Sequence, residues 1–210
     1  MRKKILHILI FISFHQICLS QNQYNKGYFD SPLKIKMELV GNFGEIRPNH
    51  FHSGFDFRTN GKEGLPIYAV ADGYISRIKI SAGGYGKALY INHPNGYTSV
   101  YAHLQRYNTA IAEFAKAIEY TKESFEIDTT LSEKTILIKK GDLIGFSGNT
   151  GSSEAPHLHF EIRDTKTEMP INPYLLGYTI PDNVKPTITQ LAVYPIGERA
   201  TINSKHEEKK

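Results

Sequence analysis

The sequence predicts a mainly β protein, an antiparallel sheet or sandwich carrying one inserted helix. Three observations point there. The 210 residues include 17 Gly, 10 Pro and 13 Tyr but no Trp, a composition that favours turns and β-prone aromatics over a helical bundle. Short segments alternating apolar and polar residues are separated by Gly, Pro and Asn. A single stretch, 108–125, switches to helical period. With 40% apolar residues the chain can bury one substantial core, so one principal domain with a small appendage is expected.

The first twenty residues read separately. "MRKK" is a basic start, "ILHILIFISF" an apolar run too short to span a bilayer, and Cys18-Leu19-Ser20 supplies small residues at a cleavage position before Gln21. That is the pattern of a secretory signal peptide. Lipidation at Cys18 is the second reading, disfavoured because Ile17 precedes it where a small residue is wanted. Loss of Arg2, Lys3 and Lys4 from 25 basic residues leaves 22 against 21 acidic ones, a net of +1. The charge therefore gives no argument for a nucleic acid or an anionic membrane as partner. The only cysteine would leave with the signal, so the exported protein is expected to lack disulfides, to be held by packing and a metal, and to work in the periplasm, the envelope or the medium.

Residues 21–45 form an N-terminal extension with a β-like patch, "LKIKMELV". The principal domain spans 46–180. Its strands are "HSGFDF", "PIYAVADGYISRIKI", and "GKALYINH" paired with "YTSVYAHL" across the Pro94-Asn95-Gly96 turn. The segment 108–125 puts Ile111, Phe114, Ile118 and Phe125 near one helical face, with Asn108 or Thr109 as N-cap. The β pattern resumes in "TILIKKGDLIGFSG" and "HLHFEIRD", and "MPINPYLLGY" closes the block. Residues 181–210 hold one more strand candidate, "KPTITQLAVYPI", which is expected either to stand by itself outside the block or to open a second domain, and a charged tail.

Seven histidines lie beyond the leader, and their spacing carries the chemistry. His52 and Asp56, four apart in an extended segment, point the same way. In "HLHFEI" the side chains of His157, His159 and Glu161 take one face, while Leu158, Phe160 and Ile162 take the other. Two imidazoles on a strand's polar face and a His/Asp pair elsewhere supply a three-ligand nitrogen and oxygen set for zinc, with a fourth position open to water as in catalytic sites. His103 ends a third strand. Glu161 is expected either to orient an imidazole or to form a surface ion pair. His93 reads as a turn residue, His50 as a weak competitor for the metal because position 54 is glycine, and His206 as part of the tail. "SAGGYG" and "GNTGSS" lack the lysine of a phosphate loop and read as walls of a groove.

"HFHSGFDF", "VYAHL" and "GNTGSSEAPHLHFEI", in that order, resemble the lysostaphin-type (LytM-type) zinc endopeptidases of bacterial cell walls, over roughly Ile46 to Tyr174. The resemblance implies that His52, Asp56 and His159 hold Zn2+, that His103 and His157 are metal-free catalytic histidines, and that the substrate is a peptide cross-link of peptidoglycan. Such a zinc ion would lower the pKa of a water toward about 7. One of His103 and His157 would take the water's proton while the other assists the oxyanion or the leaving amine.

The chain departs from the family in two places. Between His103 and His157 lie 53 residues, more than compact members carry, and the surplus at about 106–134 reads either as a lid over the groove or as a packed decoration. Glu154-Ala155 replaces a small residue and glycine before Pro156. Two rival functions remain at this stage: a non-catalytic domain that binds cell wall or regulates a hydrolase, and a zinc peptidase acting on proteins.

Overall fold

The computed structural model describes residues 24–181, 185, 187 and 188. The expected leader at 1–20, most of the strand candidate after Lys185 and the tail with His206 lie outside the described residues. Twelve short strands and one α-helix are found among the described residues. Strands β1 (Leu39–Gly41), β2 (Phe55–Arg58), β3 (Pro66–Tyr68), β4 (Gly73–Ile80), β5 (Lys87–Asn92), β6 (Tyr97–Ala102) and β7 (Arg106–Tyr107) precede helix α1 (Thr109–Lys122). After it come β8 (Ile127–Thr130), β9 (Leu137–Ile138), β10 (Leu143–Phe146), β11 (His157–Asp164) and β12 (Pro170–Ile171).

All pairings are antiparallel. The large sheet runs β1-β2-β11-β6-β5-β4-β8, with β12 beside β11 and β9 beside β4, while β3-β10-β7 form a second, small sheet. The β5–β6 hairpin turns at Pro94-Asn95-Gly96 as the sequence predicts, with Gly96 at φ 83°, a value that glycine adopts without strain. The His93 N–H donates to the Tyr97 carbonyl to close the turn.

Register fixes what each face of the large sheet carries. His159 pairs with Asp56 on one side and Ala102 on the other. Side chains alternate along a strand, so Phe55, Phe57, Leu158, Phe160, Ile162 and Tyr101 all point to the opposite face. There they are buried, and Ile67 of β3 and Ile144 of β10 join the same cluster. The core therefore sits between the two sheets, while the polar face of β11 looks outward. Phe29 and Leu33 pack into this core too.

Helix α1 begins where Asn108 caps it, its side chain accepting from the Ile111 N–H at 2.8 Å. Ile111 and Ala115 are its buried residues, and Phe114 and Ile118 pack half-buried against the same core. Phe125, expected on that face, lies beyond the helix and is 91% exposed. The reason is local: Glu123 takes a left-handed conformation and its N–H bonds back to Glu119 and Tyr120, ending the helix. The following residues form β8, which adds to the edge of the sheet beside β4. Of "LKIKMELV" only Leu39 and Val40 become strand, as the start of β1. Among the described residues no helix is long and apolar enough to cross a membrane.

These contacts separate two positions that the helical period groups together. Asn108→Ala should destabilise the protein by about 1 kcal/mol through the lost cap, and Phe125→Ala should change stability by less than about 0.5 kcal/mol, both read from urea unfolding midpoints.

Candidate metal centre

His52 stands in the extended lead-in to β2, Asp56 on β2, and His157 and His159 on β11, one strand away. His103 follows directly after β6 with φ 57°, a left-handed conformation unusual for a residue with a Cβ. Two hydrogen bonds hold it there: its N–H donates to the Tyr85 carbonyl, and its Nδ1 donates to the Thr150 carbonyl at 2.8 Å. The loop bearing Thr150 can come this close because Gly86 and Gly151 cross each other, where a Cβ on Gly151 would lie 2.3 Å from the Gly86 nitrogen. All five residues singled out in the sequence thus line one cleft of about 570 Å³, with Tyr85, Arg47 and the 152–156 loop on its walls.

Three ligand-type atoms converge in it. His52 Nε2, Asp56 Oδ1 and His159 Nδ1 lie 2.9 to 3.0 Å from one another, and the three residues are buried. Their outer atoms are committed elsewhere. His52 Nδ1 donates to the Asn42 carbonyl at 2.6 Å, so its Nε2 carries the lone pair. His159 Nε2 donates to Glu161 Oε1 at 2.7 Å, so its Nδ1 carries the lone pair. Asp56 accepts from Arg47 Nη2 on Oδ2 at 2.9 Å, leaving Oδ1 to face the nitrogens.

This donor set fits a divalent cation. Two unprotonated nitrogens 3.0 Å apart repel unless a positive charge lies between them. A tetrahedral zinc with bonds of about 2.0–2.1 Å sets its ligand atoms about 3.3 Å apart, a small expansion from the spacing found. In the metal-free site a proton takes the cation's place. Burial disfavours charge on His159, but hydrogen bonds to Asp56 and Glu161 outweigh it and raise its pKa to about 9. Asp56 is held far below the usual carboxylate range, because the imidazoles of His157, His159 and His52 gathered around it outweigh its desolvation.

Glu161 is the support beneath. It is fully buried and accepts from His159, Ser53, Tyr85 and Arg163. Burial pushes its pKa up, but His159 and Arg163 bring it down to about 2, so it stays ionised. Of the two roles expected from sequence, it has the orienting one.

His103 and His157 stand beside the three converging residues, their rings 4.7 Å apart. His157 Nδ1 donates to the Ala155 carbonyl at 2.8 Å, so the unusual Glu154-Ala155 pair supplies that acceptor from its backbone. His103 Nε2 is left with its lone pair, and His157 Nε2 lies 3.5 Å from Asp56 Oδ1. Burial pushes His103 down to about 4, and the ring is neutral near pH 7.

The remaining histidines fall outside the cluster. His93 is buried between the Asp72 carbonyl and Ser99 Oγ and packs edge-on against Phe29, a structural role. His50 is exposed at the rim and bonds Asn49. Sequence reasoning missed Arg47, Asn42 and Tyr85 as partners of the cluster. The one available signal was "GEIRP", a loop cation shortly before His52. No residue of α1 or β8 lines the cleft; the insertion packs against the core and adds β8 to the β4 edge.

The family model described as Peptidase family M23 matches residues 50–120 and 119–173. Among curated proteins, the DD-carboxypeptidase/endopeptidase Mpg of Neisseria meningitidis serogroup B is 33% identical over 131 residues, 62% of this chain and 24% of its own length. Lysostaphin of Staphylococcus staphylolyticus is 31% identical over 141 residues, covering 67% and 22%. Among solved structures, a zinc-containing peptidase from Vibrio cholerae superposes with a TM-score of 0.52 at 24% identity, over 74% of this chain and 41% of that one. Helicobacter pylori Csd3 gives 0.50 at 26% identity, over 77% and 36%. The chain thus spans about a quarter of the length of the curated relatives it matches.

The raised pKa of His159 sets a direction for stability. A group whose folded pKa exceeds its unfolded value of about 6.5 stabilises below that value and ceases to do so as pH rises through the folded one. Chelator-treated protein should therefore lose thermal stability between pH 7 and pH 9, measured by calorimetry. Glu161→Gln should weaken metal binding about 10- to 100-fold, measured by competition with a chromophoric chelator.

Proposed function

The chain belongs to peptidase family M23, and from that premise we propose that it is an exported, zinc-dependent endopeptidase hydrolysing peptide cross-links of bacterial peptidoglycan. The observation that carries the reading is the convergence of His52 Nε2, Asp56 Oδ1 and His159 Nδ1 beside two histidines whose Nδ1 atoms are held by backbone carbonyls. The substrate comes from the relatives, since Mpg is named a DD-carboxypeptidase/endopeptidase. Export rests on the leader pattern of the first twenty residues.

The donor set of two imidazoles and one carboxylate suits zinc, which would be held by His52, Asp56 and His159. When bound, zinc supplies a Lewis acid that polarises an amide carbonyl and lowers the pKa of a water toward about 7. This chain's own residues do the rest. Glu161 holds His159 in the tautomer that presents Nδ1, and Asn42 does the same for His52 Nε2. Arg47 holds Oδ2 of Asp56 and so turns Oδ1 inward. His103 and His157 share the proton transfers. One accepts the water's proton at Nε2, and the other, protonated at Nε2, hydrogen-bonds the developing oxyanion or the leaving amine. With the rings 4.7 Å apart, both serve one scissile bond. The Thr150 and Ala155 carbonyls keep Nδ1–H on each ring, so neither can present the wrong nitrogen to the substrate.

Mass spectrometry of fragments released from purified peptidoglycan tests this. Zinc-loaded protein should produce new free amines at one cross-link position. His103→Ala should retain the metal and lose about 10²- to 10⁴-fold in rate, the usual scale for a general acid or base. Release by neither protein would overturn the hydrolytic reading, and equal release by both would remove His103 from the mechanism.

A further inference from the structure

The polar face of the large sheet does not end at the metal cleft. On β11 the side chains of His159, Glu161 and Arg163 follow one another on that face. Across the sheet Arg163 pairs with Thr98, Thr98 with Asn92, and Tyr90 with Arg77. Arg77 in turn pairs with Thr130 of β8, the strand supplied by the insertion. Here a second, polar cavity of about 150 Å³ opens, lined among others by Arg77, Tyr90, Thr98, Thr130, Arg163 and Glu168. Four residues of strand separate His159 from Arg163, about 13 Å, so the two cavities are a short extended peptide apart.

The cavity carries fixed charges of both signs. Two guanidiniums flank Tyr90, with Arg77 at 5.0 Å and Arg163 at 5.8 Å from the ring centre. Arg77 commits Nε and Nη2 to Asp128 at 2.5 Å each, and Arg163 commits Nε to Glu161 and Nη2 to Tyr85. Each fork therefore keeps an Nη1 with no protein acceptor among the described residues, and guanidinium donors suit carboxylates. Asp128, which Lys79 shares at 3.7 Å, and Glu161 already engage the two guanidiniums, and Asp164 and Glu168 add negative charge to the lining, so a lone anion gains little here. On the acidic side, Asp164 turns Oδ1 toward the backbone of Lys166 and Thr167. The Glu168 carboxylate has no ion-pair or hydrogen-bond partner among the described residues. A lone cation would meet two guanidiniums. A group with both charges satisfies both ends without changing the net charge.

We propose that this cavity takes a zwitterionic amino-acid group, one carbon bearing a free ammonium and a free carboxylate, with the carboxylate on Arg77 and Arg163 and the ammonium on Glu168. As a binding site it stands by itself; as the far subsite of the substrate it rests on the hydrolytic reading above. The insertion then acts on specificity from the sheet edge, since β8 brings Asp128 and Thr130 to the site.

The test is an NMR titration of the isotope-labelled, zinc-loaded chain with free alanine, N-acetylalanine and alaninamide. Alanine at millimolar concentration should produce saturable shifts at Thr98, Thr130 and Arg163, and the two blocked forms should not. Glu168→Gln and Arg77→Gln should each weaken that binding about tenfold or more, the scale of one charged hydrogen bond. The resonances of Phe57 and Phe160 in the core report that the variants are folded. Equal shifts with N-acetylalanine or alaninamide overturn the proposal, as does the absence of shifts. Shifts confined to His52 and His159 mean that alanine merely binds the ion, and overturn it too. Hydrolysis plays no part in this readout. A chain that binds alanine here but releases no peptidoglycan fragments fails the hydrolytic reading alone, and one that releases fragments without cavity shifts fails this inference alone.

Discussion

Two imidazole lone pairs held 3.0 Å apart, with a carboxylate oxygen at 2.9 to 3.0 Å from both, form the constraint on which the rest of the structure depends. Such an arrangement is unfavourable unless a cation fills it, and it persists only if the surrounding protein prevents the rings from turning away. Each ring is held by a different kind of acceptor. The Asn42 carbonyl holds His52, and the buried Glu161 carboxylate holds His159. Removing either acceptor would free its ring to flip and would leave a buried nitrogen unsatisfied.

The fold supplies these acceptors through sheet register. His159 and Glu161 are two apart on β11, so they share a face and can bond each other while Phe160 between them enters the core. Pairing with β2 sets Asp56 opposite His159, and pairing with β6 brings the chain to His103 just past Ala102. A slip of one residue would turn the imidazoles into the core and the phenylalanines outward. The apolar cluster of Phe55, Phe57, Leu158 and Phe160 therefore fixes the site's geometry as well as the protein's stability.

Much of this was legible in the sequence because period-two alternation is a local signal. It made the polar face of "HLHFEI" and the same-side placement of His52 and Asp56 readable without coordinates. Asn42, Thr150 and Ala155 were not, because they act through backbone carbonyls and their side chains leave no mark. Arg47 reaches Asp56 through a loop closure that no periodicity encodes. The insertion misled in another way. Helical period extended the face to Phe125, whereas the chain turned left-handed at Glu123 and became β8, whose partner β4 lies about fifty residues earlier in the chain. Pairing at such separation is not visible in local pattern.

The most direct measurement of this account is the protonation state of each imidazole nitrogen in the zinc-loaded protein, read from long-range proton–nitrogen NMR correlations. Protons are expected on His52 Nδ1 and His159 Nε2, with His52 Nε2 and His159 Nδ1 shifted by the metal, and on Nδ1 of both His103 and His157. A His159 protonated at Nδ1, or a His52 whose Nδ1 carries the metal, would contradict it.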